Sequence, residues 1–393
     1  MKFAKRLGGI TTSPTIAVMQ ESQRLKAQGI DVIDLGPGEP DFPTPDPIKA
    51  AAVAAIQEDF TKYTPTIGIA ELRTGVAEHF NNIWGSHFQA AHVALSSGAK
   101  HTIHNLCMSC FEAGDEVLIP APYWVTFPEV VKVTEAEPRI IETREEDNFE
   151  LRPEVVEAAI GPRTRGLILN TPNNPTGAVI PRAAMEEIYR ICKENSVLLL
   201  SDETYDYFVY DGHQHFSLAA MAAPDDPFFA LVGSFSKTYS MTGWRVGYCV
   251  TAADRIKKVA DYQSHESGNP ASISQRAALA ALSIDSSLIA EMTEEYRHRR
   301  QLVLEKLEGI PGFSCAQPNG AFYAYPNVSE AMRLTGCETS VGFSRLLIKE
   351  ARVATVPGSA FGTEGYIRIS YATSRENLRE GLFRIKQLME EGG

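Results

Sequence analysis

The feature that most constrains the fold is a regular alternation between about residues 45 and 290, where short apolar segments take turns with amphipathic segments of helical length. Strands separated by helices form parallel sheets, because each helix carries the chain back to the same edge of the sheet. The sequence therefore predicts an α/β fold of three layers, with helices on both faces of a mainly parallel, seven-stranded sheet. The predicted strands are residues 92–95, 116–119, 138–141, 166–169, 197–200, 229–233 and 246–250.

The pattern changes after about residue 290. A long charged helix comes first, and the last helix begins near Ser374. Two short strands are predicted between these helices, at 312–315 and 321–325. We expect two domains, since a chain of 393 residues is long enough to build two cores. The larger domain would cover residues 45–290, and the smaller, an α+β domain, would combine residues 1–44 with 291–393.

One lysine stands in an unusual setting, in the segment SFSKTYSMTGWRVG at residues 234–247. Lys237 has Ser234 and Ser236 close by and is followed eight positions later by Arg245. A lysine amine can form a Schiff base with an aldehyde, and pyridoxal phosphate is the commonest aldehyde that proteins hold in this way. The serines and the arginine could then bind the phosphate. A solvated lysine in a serine-rich loop is the alternative that this segment alone leaves open.

Polar groups that suit a pyridine ring follow two other predicted strands. Asp202, in SDETY, could pair with the ring nitrogen and keep it protonated, which makes the ring an electron sink. Tyr205 in the same motif, and Asn174 in NNPTG, could donate hydrogen bonds to the ring oxygen. Taken singly, each motif is also explained without a cofactor, as an ordinary strand end or a tight turn.

Three further segments complete a candidate binding site. SSGAK follows a predicted strand and opens a helix, so that backbone N–H groups at Gly98 and Ala99 could reach a phosphate. Trp124, in APYW, could stack on a flat ring, although a core position would explain it equally well. Arg368 alternates with apolar residues in YIRISYA, and an arginine that points into a core needs an anionic partner. A substrate carboxylate would serve.

With these motifs, the chain resembles a class I aminotransferase of pyridoxal-phosphate fold type I, in the branch of aspartate and prephenate aminotransferases. The likeness covers nearly the whole length and includes GEPDF at 38–42 and KYTP at 62–65. It implies that pyridoxal phosphate is held covalently by Lys237. The other cofactor contacts that it implies come from Asp202, Asn174, Tyr205 and Trp124 at the ring, and from Gly98, Ala99, Ser234, Ser236 and Arg245 at the phosphate.

The resemblance also implies a homodimer with shared active sites. Tyr63, in KYTP, corresponds to a residue that reaches the phosphate bound by the neighbouring subunit. The substrate α-carboxylate would be held by Arg368, Asn174 and the backbone of Gly38, with Trp124 beside it.

Substrate choice is implied by two further positions. In this branch, a lysine at the position of Lys100 and a threonine at the position of Thr15 accompany the use of dicarboxylates and prephenate. A contact with the phosphate, or a solvated helix start, is the alternative for Lys100. Glu266 stands where relatives more often have a small hydroxyl residue, and it would disfavour acidic substrates if it faced the cavity.

The implied activity is transfer of an amino group between an L-amino acid, aspartate or glutamate, and a 2-oxo acid, by a ping-pong mechanism. Prephenate is a further possible acceptor. A pyridoxal-phosphate-dependent lyase on the same scaffold is the alternative, because it would use nearly the same cofactor contacts. Both reactions involve small-molecule substrates.

Charge and hydropathy exclude other classes of function. The formal net charge is −12, whereas nucleic acids and anionic membranes bind basic surfaces. No apolar run of 18 residues marks a membrane span, and no apolar segment follows the basic residues near the start. We therefore expect a cytoplasmic protein that binds neither nucleic acid nor membrane.

We expect no metal site either. One group of ligand-type side chains calls for a test, namely His101, His104, Cys107 and Cys110, at steps of three. On a helix each step turns the side chain by about 60°, so the four span roughly 180° and climb ~13 Å. They cannot converge on one ion.

Overall fold

The computed structural model describes residues 4–10 and 14–391. The strands are β1 (Ile33–Asp34), β2 (Val93–Ser96), β3 (Glu116–Ala121), β4 (Glu137–Glu142), β5 (Thr164–Asn170), β6 (Leu198–Asp202), β7 (Phe229–Ser234), β8 (Gly247–Thr251), β9 (Tyr323–Ala324), β10 (Val353–Ala354), β11 (Val356–Pro357) and β12 (Ile367–Ser370). The α-helices are α1 (Pro14–Ala27), α2 (Asp46–Gln57), α3 (Ala70–Trp84), α4 (Ala99–Cys110), α5 (Thr126–Val133), α6 (Pro153–Ala159), α7 (Arg182–Glu194), α8 (Ala253–Glu266), α9 (Ser272–Ala281), α10 (Ser286–Leu307), α11 (Ser329–Thr335), α12 (Ser340–Leu346) and α13 (Arg375–Glu391).

The central sheet has seven strands in the order β2-β8-β7-β6-β5-β3-β4. Strand β8 is antiparallel to both of its neighbours, β2 and β7, and the other neighbouring pairs are parallel. The predicted α/β class and mainly parallel sheet are therefore confirmed. All seven predicted strands are present, with ends that differ by at most two residues.

Helices cover both faces of this sheet, as predicted. Leu199 of β6 packs in the core on one face, with residues of α3, α7 and α9. Its neighbours Leu198 and Leu200 pack in the core on the other face, with residues of α4, α5 and α8. The two faces alternate because successive side chains of a strand point in opposite directions. Each fully buried leucine contributes about 2 kcal/mol of hydrophobic stabilisation.

A separate core lies around the C-terminal elements. Strands β11, β12 and β9 form a three-stranded antiparallel sheet, and β1 pairs in parallel with β10. Helices α10 and α13 pack against each other, and α10 contacts β9. This second core and the two cores of the central sheet support the division into residues 45–290 and residues 1–44 with 291–393, which we retain as a proposal.

Most of the helices and strands predicted after about residue 290 are present. The long charged helix begins at Ser286, the last helix begins at Arg375, and β9 lies within the predicted strand 321–325. The strand predicted at 312–315 is wrong, because only Ser314 makes an isolated bridge there, to Asn327. Gly312 has a φ of +76°, a left-handed conformation that interrupts an extended strand. Among the described residues, no helix is long and apolar enough to cross a membrane.

Candidate active site

A cavity of about 300 Å³ lies at the carboxyl edge of the central sheet. The segments that follow β2, β5, β6 and β7 all reach this edge, because these strands run in the same direction, and the residues before antiparallel β8 reach it as well. The residues predicted from the sequence that line the cavity are Gly38, Ala99, Lys100, Trp124, Asn174, Asp202, Tyr205, Ser234, Ser236, Lys237, Arg245 and Arg368. Thr204, Tyr323, Asn170, Val125 and Thr242 also line it.

Lys237 follows β7, and its side chain enters the cavity. Its Nζ donates a hydrogen bond of 2.5 Å to the carbonyl oxygen of Gly38 and lies 6.0 Å from the ring centroid of Tyr205. Burial lowers the pKa of the Lys237 amine to about 8, and the nearby charge of Arg368 acts in the same direction, while Glu39 opposes it. A substantial fraction of the amine is therefore neutral near pH 8, and only the neutral amine can attack an aldehyde.

Asp202 ends strand β6 and is buried. Thr204 donates two hydrogen bonds to its Oδ1 atom, from the side-chain Oγ1 at 2.6 Å and from the backbone N–H at 3.1 Å. Burial raises the pKa of the Asp202 carboxyl to about 6, although both bonds from Thr204 favour the charged form. A cation held against this carboxylate would lower its pKa again, as a protonated pyridine nitrogen would do.

A pair of tyrosines connects the two sheets at the cavity. The hydroxyl of Tyr205, which follows β6, lies 2.8 Å from the hydroxyl of Tyr323 in β9. The guanidinium of Arg368 in β12 lies 4.4 Å from the ring centroid of Tyr323. Because β9 and β12 are paired, Tyr323 and Arg368 enter the site as one rigid unit.

Arg368 is 2% exposed, and the groups that accept hydrogen bonds from its guanidinium are neutral. Nη1 donates to Oδ1 of Asn174 at 2.8 Å, and Nη2 donates to the carbonyl oxygen of Gly36 at 2.6 Å. Nε is buried without a hydrogen-bond partner. Asn174 is itself fixed, because its backbone N–H donates to Oδ1 of Asn170 at 2.7 Å. Burial of a guanidinium in neutral surroundings lowers its pKa and favours binding of an anion.

The segments predicted to bind a phosphate also meet at the cavity. Gly98 has a φ of +89° and immediately precedes α4, a helix of 12 residues whose N-terminal N–H groups are suited to an anion. A Cβ atom at Gly98 would lie 2.4 Å from Nη2 of Arg245, so the close approach requires glycine. Arg245 is held by its Nη1, which donates to the carbonyl oxygen of Thr242 at 2.8 Å. Ser234 accepts a hydrogen bond of 3.1 Å from the backbone N–H of Ser236.

Lys100 and Trp124 lie together on another wall of the cavity. The Lys100 ammonium is 5.4 Å from the ring centroid of Trp124, within the range of a cation–π contact. Partial burial lowers the pKa of Lys100, and repulsion from Arg245 lowers it further.

Of the residues singled out in the sequence, Tyr63 and Glu266 do not line the cavity of this chain, and Gly98 adjoins it beside Ala99 and Arg245. Tyr63 is 97% exposed. Thr15 lies in α1, but its side chain falls outside the part of the chain that is described. Glu266 is turned to His101, with 2.7 Å between Oε2 and Nε2. The proposed conflict between Glu266 and acidic substrates therefore has no support in this geometry.

Several residues that line the cavity were not predicted from the sequence. Tyr323 lies in a predicted strand, but nothing in the sequence near it shows that it meets Tyr205, 118 positions earlier. Thr204 carried a usable signal in the sequence. It lies two positions after Asp202, and Ser and Thr side chains often form hydrogen bonds with groups of neighbouring residues. Asn170 ends β5, at the edge where ligands are expected.

Comparison with known proteins agrees with this geometry. Residues 30–385 match the model of the family "Aminotransferase class I and II". An aspartate aminotransferase of Geobacillus stearothermophilus is 41% identical over 99% of both chains. An aspartate/prephenate aminotransferase of Nitrosomonas europaea is 39% identical over 99% of this chain and 100% of the relative. The structure of Thermus thermophilus aspartate aminotransferase with maleate superposes with a TM-score of 0.93 at 37% identity, covering 99% and 100% of the two chains. The chain belongs to the class I and II aminotransferase family.

Proposed function

We propose that this protein is a pyridoxal-phosphate-dependent aminotransferase that uses dicarboxylic amino acids and 2-oxo acids. One observation carries the proposal: the amine of Lys237, the carboxylate of Asp202 and the guanidinium of Arg368 line a single cavity. An amine, an acid for a ring nitrogen and a cation for a carboxylate are the groups that amino-group transfer needs.

The residues present fit the cofactor. The positive φ of Gly98 and its contact with Arg245 leave no room for a side chain where the α4 N-terminus would receive a phosphate. Ala99, Ser234, Ser236 and Arg245 would hold the phosphate, and Trp124 would cover the ring. Asn174 and Tyr205 would bind the ring oxygen. When bound, the cofactor supplies an electron-withdrawing ring that stabilises negative charge at the substrate α-carbon.

Three side chains would move the proton, keep the ring protonated and orient the substrate. Lys237 would hold the cofactor aldehyde and, once released by a substrate, would carry a proton from the α-carbon with an amine whose pKa is lowered to about 8. Asp202 would keep a proton on the ring nitrogen. Arg368 would bind the α-carboxylate through a planar pair of N–H donors and so orient the α-carbon toward Lys237. One site that handles the donor and then the acceptor gives ping-pong kinetics.

Preference for dicarboxylic substrates is proposed from Lys100. A second cation is needed to select a distal carboxylate, and the Lys100 ammonium lies on the cavity wall beside Trp124. Its long, flexible side chain could follow substrates of different length, which extends the proposal to prephenate. The names of the relatives, as aspartate and aspartate/prephenate aminotransferases, support the same preference.

We further propose a homodimer in the cytoplasm. A nearly fully exposed tyrosine is unusual, and Tyr63 would be covered if it reached the phosphate bound by a partner subunit. Two-fold symmetric dimers are the commonest soluble oligomers, and in such a dimer each Tyr63 would reach the site of the other chain.

A half-reaction tests the proposed function. The purified protein, loaded with pyridoxal phosphate, is mixed with aspartate and without any 2-oxo acid, and its absorption spectrum is followed. We expect conversion of the cofactor to the pyridoxamine form, with one oxaloacetate released for each site. Release of ammonia with the cofactor unchanged would instead identify a lyase, and no spectral response to any amino acid would refute the proposal.

A further inference from the structure

We propose that Thr204 is a positioning residue for Asp202: its hydroxyl holds Oδ1 and keeps the carboxylate charged, so that the proton between Asp202 and the cofactor ring stays on the ring. This inference rests on the proposed function for its catalytic meaning. The contact itself belongs to the protein alone.

The geometry is that of a short and specific contact. Oγ1 of Thr204 is 2.6 Å from Oδ1 of Asp202, a length typical of a hydroxyl that donates to a charged carboxylate. The backbone N–H of Thr204 donates to the same oxygen at 3.1 Å. Both donors come from the residue two positions after Asp202, so the turn after β6 fixes which oxygen they use.

Because Asp202 is buried, the Thr204 hydroxyl has a large influence on the charge of its carboxyl group. Asp202 and Thr204 are 4% and 7% exposed, and burial alone drives the pKa of the carboxyl upward. The Thr204 hydroxyl is the largest of the influences that lower this pKa, ahead of its own backbone N–H and of the charge on Lys237. Glu203 pushes the pKa upward as well. Without the hydroxyl, the carboxyl would bind a proton more readily.

The consequence for the reaction follows from competition for one proton. A ring nitrogen and a carboxylate in contact share a proton, and the group that is the weaker acid keeps it. A hydrogen bond that stabilises the carboxylate favours the protonated ring, which is the better electron sink. Loss of the Thr204 hydroxyl therefore weakens the electron sink without removing Asp202.

Two variants separate this role from a structural one. Thr204→Val keeps the size and branching of the side chain but removes the hydroxyl, whereas Thr204→Ser keeps the hydroxyl and removes a methyl group. If packing were what mattered, the serine variant would be the more damaged, because it leaves a small cavity. Circular dichroism and thermal unfolding of both variants report whether the fold is retained.

The first measurement uses the protein without cofactor, so that it does not depend on the proposed function. The pKa of Asp202 is read from ¹³C NMR of labelled carboxyl groups, and Asp202→Asn assigns the signal. We expect a pKa near 6 in the wild type and in Thr204→Ser, and a higher pKa in Thr204→Val. An equal pKa in all three proteins would overturn the inference.

The second measurement uses the protein loaded with ¹⁵N-labelled pyridoxal phosphate. The ring-nitrogen signal should move toward that of a neutral pyridine in Thr204→Val and stay in place in Thr204→Ser. The half-reaction with aspartate should slow about tenfold in the valine variant only, because that variant loses one charge-assisted hydrogen bond to Asp202. An unchanged ring signal and rate in Thr204→Val would refute the positioning role, whereas a wild type that does not react would refute the proposed function instead.

Discussion

The side chains around the cavity form two groups that differ in how firmly they are held. The buried group consists of Asn174, Asp202, Tyr205 and Arg368, each at most 5% exposed and bonded to neighbours in the same chain. The exposed group consists of Lys100 and Arg245, which lie at the surface of the cavity. Buried polar groups must have partners to be stable, so the fold itself fixes the first group. Within the exposed group, Arg245 is held by its hydrogen bonds to two backbone carbonyl oxygens, whereas the long side chain of Lys100 can adapt to the shape of a ligand.

This difference separates reaction from substrate choice. We expect substitutions in the buried group, and of Lys237 beside it, to impair every substrate alike. We expect substitution of Lys100 to impair only substrates with a distal carboxylate.

The largest effect is expected for Lys237→Ala. Without the amine, neither attachment of the cofactor nor transfer of the proton is possible, so turnover should fall by at least about 10³-fold with every donor. Steady-state kinetics with aspartate and alanine measure the loss. Lys258→Ala, which removes an exposed lysine, is the matched control and should keep normal activity. Residual turnover in Lys237→Ala above one per cent of the wild type would place the reacting amine elsewhere.

A smaller but still general loss is expected for Asp202→Asn. A neutral amide cannot keep the ring nitrogen protonated, so the half-reaction should slow by about 10²-fold. Cofactor affinity should fall less, because one charge-assisted contact of ~1.5–3 kcal/mol is only part of the binding energy. Rapid-mixing spectroscopy and titration with pyridoxal phosphate measure the two effects. Asp261→Asn, at the surface, is the control. A normal half-reaction in Asp202→Asn would remove Asp202 from this role.

Asp202 also predicts a pH effect on the protein without cofactor. Its folded pKa of about 6 is above the ordinary value, so the group contributes stability that is present below about pH 4 and is lost as the pH rises through 6. Asp202→Asn should therefore gain free energy of unfolding relative to the wild type as the pH rises from 4 to 7, by up to about 3 kcal/mol. Urea unfolding at several pH values measures the difference. A difference that does not change with pH would contradict the raised pKa.

The sequence predicted that the side chains of the buried group lie together, and for two of them the reason is local. Asp202 is the last residue of β6 and Asn174 follows β5. The ends of parallel strands meet at one edge of a sheet, so the convergence of these two residues could be predicted without knowing their contacts. The position of Tyr323 could not, because its contact with Tyr205 spans 118 positions of the chain. Arg368 lies in the same small sheet, but its charge within an apolar strand marked it in the sequence. The strand predicted at 312–315 is wrong because Gly312 adopts a left-handed conformation close to Ala331, a contact 19 positions away that the local pattern does not show.

Complementation between chains tests whether the site extends beyond one subunit. If Tyr63 serves the partner's site, dimers that combine a Tyr63→Phe chain with an Arg368→Lys chain contain one intact site and one doubly altered site. Random mixing by co-expression should then restore activity to about a quarter of the wild type when each parent alone is weak. Activity no higher than the mean of the two parents would contradict a shared site.

The smallest and most selective effect is expected for Lys100→Met. Methionine keeps much of the apolar length of the side chain and removes the charge, so kcat/KM for aspartate should fall about tenfold while that for alanine stays unchanged. A panel of acidic and neutral donors measures this selectivity. An equal loss for all donors would assign Lys100 to the cofactor phosphate and remove the division between the two groups of residues.

Chemical trapping of the cofactor identifies the lysine that binds it. The loaded protein is reduced with borohydride, digested, and mapped by mass spectrometry. We expect that Lys237 alone carries the reduced cofactor and that trapping with pyridoxal phosphate is lost in Lys237→Ala but not in Lys258→Ala. A reduced cofactor on any other lysine of the wild type would contradict the assignment of this cavity as the active site.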